Sequence, residues 1–206
     1  ELVHSIFNNI SDLTVLNATI SGINVEAVGN TRPGQRTNFE RAQVKNSGTD
    51  GFAFERSYLC KISQCNSEKN GQNGFYHNFE IHTSWLLENN YGRNNGELQS
   101  GFRAGSGFKS DFNVYSAYVA NASDLNRYGY HILGNRGVSF VSNGAEFNAR
   151  SGFFFESGAS YEANWVTGMG NTCGGNNKQN SGFANHTHVK ANDITTNFVV
   201  QKQPVS

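Results

Sequence analysis

A chain of 206 residues can bury one sizeable core, and its length does not require a second domain. The net charge is zero and 16% of the residues are charged, so no basic stripe favours nucleic-acid binding. With 16 Phe and 8 Tyr, the sequence is too rich in aromatic residues for a disordered segment, although only 36% of it is hydrophobic. No run approaches the roughly 18 apolar residues of a membrane span, so membrane insertion is not expected.

The chain begins at Glu1, without an initiating Met or a signal peptide. We therefore interpret residues 1–206 as a single domain that is a fragment of a longer protein. Residues 1–20 are expected to form an N-terminal coil or cap, and residues 186–206 a C-terminal strand or tail.

A Gly-Phe pair recurs along the chain and marks an internal repeat. When Gly-Ile and Gly-Tyr variants are included, the origins are Gly22, Gly51, Gly74, Gly107, Gly129, Gly152 and Gly182. The successive spacings are 29, 23, 33, 22, 23 and 30 residues. The shortest spacings cluster at 22 or 23, which indicates one structural unit that is lengthened in some copies by an inserted loop.

Each unit opens with a short alternating stretch. An aromatic residue follows the Gly in six units, at Phe52, Phe75, Phe108, Tyr130, Phe153 and Phe183. The alternation continues at the third position after the Gly, which predicts a strand with one buried side. No segment longer than about ten residues keeps a helical period.

A second mark is an apolar stretch that ends in Asn. It occurs at Asn46, Asn66, Asn89, Asn121 and Asn143. At a turn, Asn tolerates the left-handed backbone conformation. We expect each of these Asn residues to occupy such a turn and to hydrogen-bond to the Asn of the next unit.

Units of about 22 residues with short strands and Asn- or Gly-made turns predict an all-β fold. We interpret it as a right-handed, single-stranded parallel β-helix, a solenoid of about seven coils. Phe stacked on Phe is expected to fill its bore. Long loops are expected at 91–106 and 169–181. The leucine-rich repeat, another solenoid, requires a Leu scaffold that this sequence lacks.

Coils of the form "NG…NGF…F" resemble those of the pectate-lyase superfamily of right-handed parallel β-helix proteins. That group includes pectin and alginate lyases, polygalacturonases, mannuronan epimerases, and the tailspike or neck-appendage proteins of tailed phages. The Asn, Gly, Ser and aromatic content and the near absence of Pro are most similar to the phage members. The paired Asp motifs of polygalacturonases and the "DPDG"-type motif of the epimerases are missing.

The resemblance implies a virion tail or appendage domain that binds a cell-surface polysaccharide, with cleavage left open. It also implies a homotrimer. Two alternatives are a secreted, monomeric polysaccharide lyase or glycoside hydrolase, and a structural β-helix stalk without a ligand.

Functional residues are expected on the outer side of the Gly-Phe strand, at the second and fourth positions after the Gly. The candidate catalytic residues are the carboxylates at the fourth position, Glu55, Asp111 and Glu156. The candidate substrate-binding residues are Tyr76, Asn78, Lys109, His131 and Phe154.

Two reactions are considered for these residues, and the spacing of the carboxylates bears on the first. Asp111 and Glu156 would lie two coils apart, about 9.6 Å between backbones, as would Glu55 and Asp111. This is near the upper end of the roughly 6.5–9.5 Å separation in inverting glycoside hydrolases. A lyase would instead need a base, for which Lys109 or His131 is a candidate.

Binding without chemistry is the favoured interpretation, because charges on the outer face of a solenoid are usually solvated. In this interpretation exposed Tyr76, Trp85, Tyr128 and Phe154 would stack on sugar rings.

No metal site or cofactor is predicted. His186 and His188 lie on one strand face, but no third ligand occurs at a suitable spacing. The odd count of cysteines lacks a framework spacing, and Cys60, Cys65 and Cys173 are interpreted as thiols without a role. A Cys60–Cys65 or Cys65–Cys173 disulfide is left open.

Overall fold

A computed structural model describes residues 2–3, 8–26, 34–55, 57–78, 82–96, 105–133, 137–156, 167–176 and 187–190. Within these ranges every regular element is a β-strand, and the strands form four parallel sheets. None of the described residues belongs to a helix that could cross a membrane.

Three long sheets, named A, B and C here, and a short sheet D make up the solenoid. Sheet A contains β1 (Leu2–Val3), β4 (Ile23–Glu26), β8 (Phe52–Glu55), β12 (Phe75–Asn78), β16 (Ser106–Ser110), β20 (Tyr128–Leu133), β23 (Phe153–Glu156) and β26 (Thr187–Lys190). Sheet B contains β2 (Asn8–Ser11), β6 (Thr37–Glu40), β10 (Lys61–Ser63), β14 (Leu86–Glu88), β18 (Ala117–Val119), β21 (Ser139–Val141) and β24 (Thr167–Met169).

Sheet C contains β3 (Thr14–Leu16), β7 (Gln43–Lys45), β11 (Asn66–Glu68), β15 (Tyr91–Arg93), β19 (Ala122–Asp124), β22 (Gly144–Glu146) and β25 (Thr172–Gly174). Sheet D contains β5 (Gly34–Gln35), β9 (Ser57–Tyr58), β13 (His82–Thr83) and β17 (Asn113–Val114). The chain visits sheets B, C, A and D in turn, and each strand pairs in parallel with its equivalent one coil away.

The predicted all-β parallel β-helix is therefore confirmed. The structure makes about five turns rather than the predicted seven or so. Strands of seven successive coils contribute to sheets B and C, but the first and last of these coils are only partly covered by the described residues.

Stacked aromatic rings fill the bore, as predicted. The column on sheet A runs through Phe52, Phe75, Phe108, Tyr130 and Phe153, with ring centroids 4.6–4.9 Å apart and planes within 14° of parallel. On sheet B, Tyr118 stacks on Phe140 at 4.6 Å, and both meet the first column edge-on. Each such pair contributes about 0.5–1.5 kcal/mol beyond the burial of its area.

The Gly before each aromatic residue lies where sheet A comes closest to sheet C. The inward positions of sheet C are small in the coils at this contact, including Ser67, Gly92 and Ser123. A Cβ at Gly51 would lie 1.9 Å from Ser67 Oγ, and one at Gly107 would lie 2.0 Å from Ser123 Oγ. The Gly therefore permits the close approach that lets the following ring enter the bore.

Up to three corners of a coil take the left-handed conformation in the described residues, with φ between 52° and 66°. The corner between sheets B and C is formed by Asp12, Arg41, Gln64, Asn89, Ala120, Ser142 and Gly170. The corner between sheets C and A is formed by Asn17, Asn46, Lys69, Asn94, Leu125, Phe147 and Gly175. Residues such as Leu125 and Phe147 rarely adopt this conformation, so the geometry of the coil overrides local preference here.

Two buried ladders of Asn run along the solenoid, each one residue after a corner. The first passes from Asn90 through Asn121 and Asn143 to Asn171, and each backbone N–H donates to the Oδ1 of the next rung at 2.9–3.0 Å. The second contains Asn70, Asn95, Asn126, Asn148 and Asn176. A buried polar group that lost its partner would cost about 1–3 kcal/mol, so each rung depends on its neighbours.

The predicted Asn column is wrong in detail. Asn46 and Asn89 occupy left-handed corners, whereas Asn121 and Asn143 are ladder rungs and Asn66 is the first residue of β11. Asn46 has both predicted properties, since it lies at a corner and its Nδ2 donates to Asn17 Oδ1 at 3.2 Å. At Asn89, Asn121 and Asn143 the two properties belong to two neighbouring residues. A left-handed corner directs the next side chain, rather than its own, into the interior.

The three cysteines are buried and free, so neither disulfide forms. Cys65 occupies the ladder position below Asn90, and its backbone N–H donates to Asn90 Oδ1 at 2.9 Å. Burial raises the pKa of the Cys60 and Cys65 thiols to about 11 and that of Cys173 to about 12. These thiols are packing groups.

The prediction that 91–106 and 169–181 are long loops is wrong in extent. Residues 91–93 form β15 and residues 172–174 form β25, so both regions contribute strands to sheet C. The described parts of 91–106 and 169–181 also supply three ladder rungs, Asn95, Asn171 and Asn176.

The close approach at Gly107 can be tested with Gly107→Ala. A Cβ there would lie 2.0 Å from Ser123 Oγ and 2.9 Å from Ser123 Cβ, so we expect the free energy of unfolding to fall by about 1–3 kcal/mol. The measurement is urea denaturation followed by circular dichroism. The matched control is Gly144→Ala, where the nearest atom to a Cβ is 3.7 Å away and little change is expected. Equal effects of the two substitutions would contradict the role given to Gly107.

Candidate functional site

The predicted substrate-binding residues at the second position after the Gly form a continuous column on the outer side of sheet A. Tyr76 pairs with Lys109, Lys109 with His131, and His131 with Phe154 on adjacent strands. All four are partly exposed. We call the outer surface of sheet A around these four residues the sheet A face.

The predicted catalytic carboxylates border the same column. Glu55 ends β8 and pairs with Asn78, and its side chain is partly exposed. Asp111 directly follows β16. Glu156 ends β23 and pairs with Leu133, but the side chains of Glu156 and Asn78 lie outside the described residues. The carboxyl separation between Asp111 and Glu156 therefore stays a prediction.

Asp111 is held by two other predicted residues. The Tyr76 hydroxyl donates to Asp111 Oδ2 at 2.5 Å, and Lys109 Nζ lies 3.3 Å from Asp111 Oδ1. Lys109 Nζ also lies 4.6 Å from the centre of the Tyr76 ring, a cation–π contact. Burial and the bond to Asp111 hold the pKa of Tyr76 well above its usual range, so its hydroxyl remains a donor. Asp111 Oδ2 thus accepts a hydrogen bond, whereas Oδ1 is paired with Lys109 by charge and has no hydrogen bond.

A further carboxylate, Asp50, was not predicted from the sequence. It immediately precedes Gly51 and is only 5% exposed. Its Oδ1 accepts hydrogen bonds from Asn73 N at 2.9 Å and from Asn73 Nδ2 at 2.8 Å. Asn73 Oδ1 in turn accepts from Ser106 N at 3.0 Å. The available signal was the position before each Gly, which Tyr128 occupies in a later coil.

Burial is the largest influence on the pKa of Asp50 and raises it. The hydrogen bonds from Asn73 lower this pKa, as does the positive charge of Lys109, whereas the negative charge of Asp111 raises it. Asp50 is therefore electrostatically coupled to the Tyr76–Lys109–Asp111 group on the same face.

An aromatic cluster lies farther along the face, toward the C-terminal coils. The Tyr128 ring stacks on Phe154, with centroids 4.9 Å apart and planes 14° from parallel. His131 lies 5.1 Å from Tyr128 and 5.0 Å from Phe154. Tyr128 comes from the position before Gly129, while His131 and Phe154 come from the position two residues after a Gly. The structure therefore brings together residues from two outward columns.

The prediction that Trp85 is exposed is wrong. Trp85 is 2% exposed, its ring lies 4.7 Å from that of Phe54, and its Nε1 donates to Ser57 O at 2.9 Å. It follows the left-handed corner at Ser84, which turns the next side chain inward. Trp85 belongs to the core and does not contribute to the sheet A face.

Among the described residues no group of three His, Cys, Asp or Glu side chains is arranged to hold a metal ion. A shallow depression of about 390 Å³ lies away from the sheet A face, near β2 and β6, and is lined by Asn8, Asn9, Arg36, Asn38 and Leu59. It contains none of the predicted site residues.

No protein-family model, curated protein or solved structure matches this chain. The arrangement on the sheet A face must therefore be interpreted from its own chemistry. It offers aromatic surface at one end, and carboxylate, ammonium, phenol and amide groups at the other.

The buried carboxylate can be tested with Asp50→Asn, which keeps the Oδ1 acceptor for Asn73 and removes the charge. Because the pKa of Asp50 is raised in the folded state, the folded protein binds this proton more tightly than the unfolded chain does. The stabilisation is complete below the unfolded value of 3.8 and is lost as the pH rises through the folded-state pKa. We expect Asp50→Asn to unfold at higher urea than the wild type at pH 7, with a smaller difference near pH 4.

The control for this experiment is Glu55→Gln, which removes a partly exposed carboxylate from the same face. Its midpoint should follow the wild type at both pH values. A larger advantage of Asp50→Asn at pH 4 than at pH 7 would contradict burial as the dominant influence.

Proposed function

We propose that the sheet A face binds a cell-surface polysaccharide, and that the chain is a tailspike- or appendage-like domain of a virion. The single observation that supports this most is the Tyr128–His131–Phe154 cluster, because it is partly exposed on the outside of a rigid sheet. Aromatic side chains with exposed surface are suited to contact the apolar C–H face of a sugar ring. Scattered surface aromatics would carry little weight, but these three contact one another.

The shape of the face fits a linear polymer. Tyr76, Lys109, His131 and Phe154 occupy four adjacent strands, so the column extends about 14 Å along the solenoid axis at the usual strand spacing. An extended oligosaccharide could therefore contact the polar and aromatic ends together. Its hydroxyl groups would find donors and acceptors in Lys109, Tyr76 and the neighbouring carboxylates.

Binding is favoured over cleavage at Asp111. A general base must be able to reach the proton that it abstracts, and a general acid must carry one. Both oxygens of Asp111 already contact Tyr76 or Lys109. This engagement suits a residue that orients Lys109 and Tyr76 toward a ligand.

Cleavage of the bound polymer is a second candidate function, and Asp50 is the observation that favours it. A buried carboxyl group with a raised pKa next to a second carboxylate is a pattern found in general acid–base pairs. In such a reaction Asp50 would donate a proton to the leaving oxygen of the polymer. Asp111 would be the partner carboxylate.

The binding proposal is tested with the variants Tyr128→Ala and Phe154→Ala on a glycan array and by calorimetry with the glycans that bind. Each substitution removes central aromatic surface, so we expect affinity to fall about tenfold or more. The control is Tyr115→Ala, which removes an aromatic side chain that is 61% exposed at a corner outside sheet A. Affinity should be unchanged in this control.

The same incubations are analysed for shortened products. Wild-type binding without products supports a binding domain, whereas products that persist in Asp50→Asn and Asp111→Asn would exclude these carboxylates from catalysis. Absence of binding to any glycan would overturn the proposal. If Tyr128→Ala, Phe154→Ala and the control Tyr115→Ala lost affinity equally, the aromatic cluster would not be the binding site.

The proposal includes assembly as a homotrimer, which the resemblance to phage appendages implies. Large apolar side chains on the surface, among them Leu16, Ile20 and Met169, are exposed by 55–68% and could be covered by neighbouring copies. Light scattering coupled to size-exclusion chromatography should give about three times the 22.6 kDa mass of the chain. A mass of one chain at micromolar concentration would favour the secreted, monomeric alternative.

A further inference from the structure

Two arginines are stacked at the edge of the sheet A face, beside the aromatic cluster. Arg127 and Arg150 each lie two residues before a Gly origin, and Arg150 N donates to Arg127 O at 2.8 Å. Their backbones are therefore in direct contact on adjacent coils. Like charges directly opposite each other on neighbouring strands are destabilising.

Both guanidinium groups contact Tyr128. The Arg127 Cζ atom lies 5.3 Å from the centre of the Tyr128 ring, and Arg150 Nη1 donates to the Tyr128 hydroxyl at 3.4 Å. The ring is thus held by both arginines and by its stack on Phe154. A ring with these contacts loses little freedom when a ligand binds, which favours affinity.

Neither arginine forms an ion pair with a carboxylate in the part of the chain that the structure describes. The described ion pairs involve other cations: Arg41 with Asp12 and Glu40, Lys45 with Glu68, Lys61 with Glu88, and Lys109 with Asp111. Arg150 is exposed and Arg127 is partly exposed. Two adjacent guanidinium groups without a carboxylate have unused donors that fit an anionic group bidentately.

Charge is separated among the described side chains of the face, which do not include that of Glu156. The carboxylates Asp50, Glu55 and Asp111 are associated with β8 and β16, toward the N-terminal coils. Arg127 and Arg150 precede β20 and β23, toward the C-terminal coils. A ligand seated on the aromatic cluster would therefore lie beside Arg127 and Arg150.

We infer that the polysaccharide bound by the sheet A face is anionic, with a carboxylate, sulfate or phosphate group on Arg127 and Arg150 beside a sugar ring on Tyr128 and Phe154. This inference rests on the proposed function, because it assigns the class of glycan that the same face recognises. It assigns to Arg127 and Arg150 a specificity-determining contact that no sequence motif suggested.

The test compares acidic polymers with matched neutral ones. The probes are polygalacturonate and its carboxyl-reduced form, and dextran sulfate and dextran phosphate, each compared with dextran. Wild type is expected to bind at least one acidic member at least tenfold more tightly than its neutral partner. The double variant Arg127→Gln/Arg150→Gln should lose that preference and retain the residual affinity for the neutral polymer.

Two further variants separate the bidentate contact from general charge. Arg150→Lys keeps the charge but not the planar fork, so this variant should retain only part of the wild-type preference for the acidic polymer. Lys69→Gln removes an exposed cation from the corner that follows β11, away from the aromatic cluster. This variant should keep the preference for the acidic polymer. Equal loss in Lys69→Gln would show that overall charge is responsible, which overturns the inference. Thermal unfolding checks that each variant is folded.

The remaining outcomes are distinguishable. Equal wild-type affinity for acidic and neutral polymers would overturn the anionic specificity and leave the proposed function standing. Binding only to neutral polymers would do the same. Absence of binding to every polymer, with the protein folded, would overturn both.

Discussion

The close approach of sheet A to sheet C at the glycine column is the contact on which the rest of the solenoid depends. With no Cβ at Gly51 or Gly107, the two sheets come near enough for a serine hydroxyl to reach across the narrow side of the coil. The residue after each Gly then points into the bore and stacks on its equivalents above and below. Small residues on one wall and aromatic rings on the other thus fill a cross-section that would otherwise be too narrow or leave a void.

The repeat was predictable because the glycine and the ring carry a strict structural demand in every coil. The Asn ladders were harder, because inserted residues between coils blur the spacing and because corner and rung both accept Asn. The constant feature is the five-residue interval from one ladder to the other, as in Asn90 and Asn95 or Asn121 and Asn126. That interval spans one sheet C strand and one corner, so it tolerates no insertion.

The sequence predicted the outward column of Tyr76, Lys109, His131 and Phe154, because strand alternation determines which side a residue faces. It did not predict Asp50, Tyr128 as part of a cluster, or the arginines, because they precede the Gly, where the strand departs from regular alternation. Within β16 and β20 the Gly and the aromatic residue that follows are both buried. In β20 this irregularity leaves Tyr128, the residue before the Gly, partly exposed, whereas Ser106 at the same position of β16 is buried. Trp85 was misplaced for a related reason: it follows the left-handed corner at Ser84, and strand alternation does not apply across a corner.

The Asn ladders have a direction. Each rung accepts from the coil before it and donates, through its backbone N–H and Nδ2, to the Oδ1 of the coil after it. A finished coil therefore presents its ladder donors to the coil after it, where the next Asn supplies the acceptor, while each Nδ2 also donates to a backbone carbonyl of the coil before it. Translation also proceeds from the N terminus. Each coil that emerges from a ribosome would therefore find the ladder donors of the preceding coil already in place.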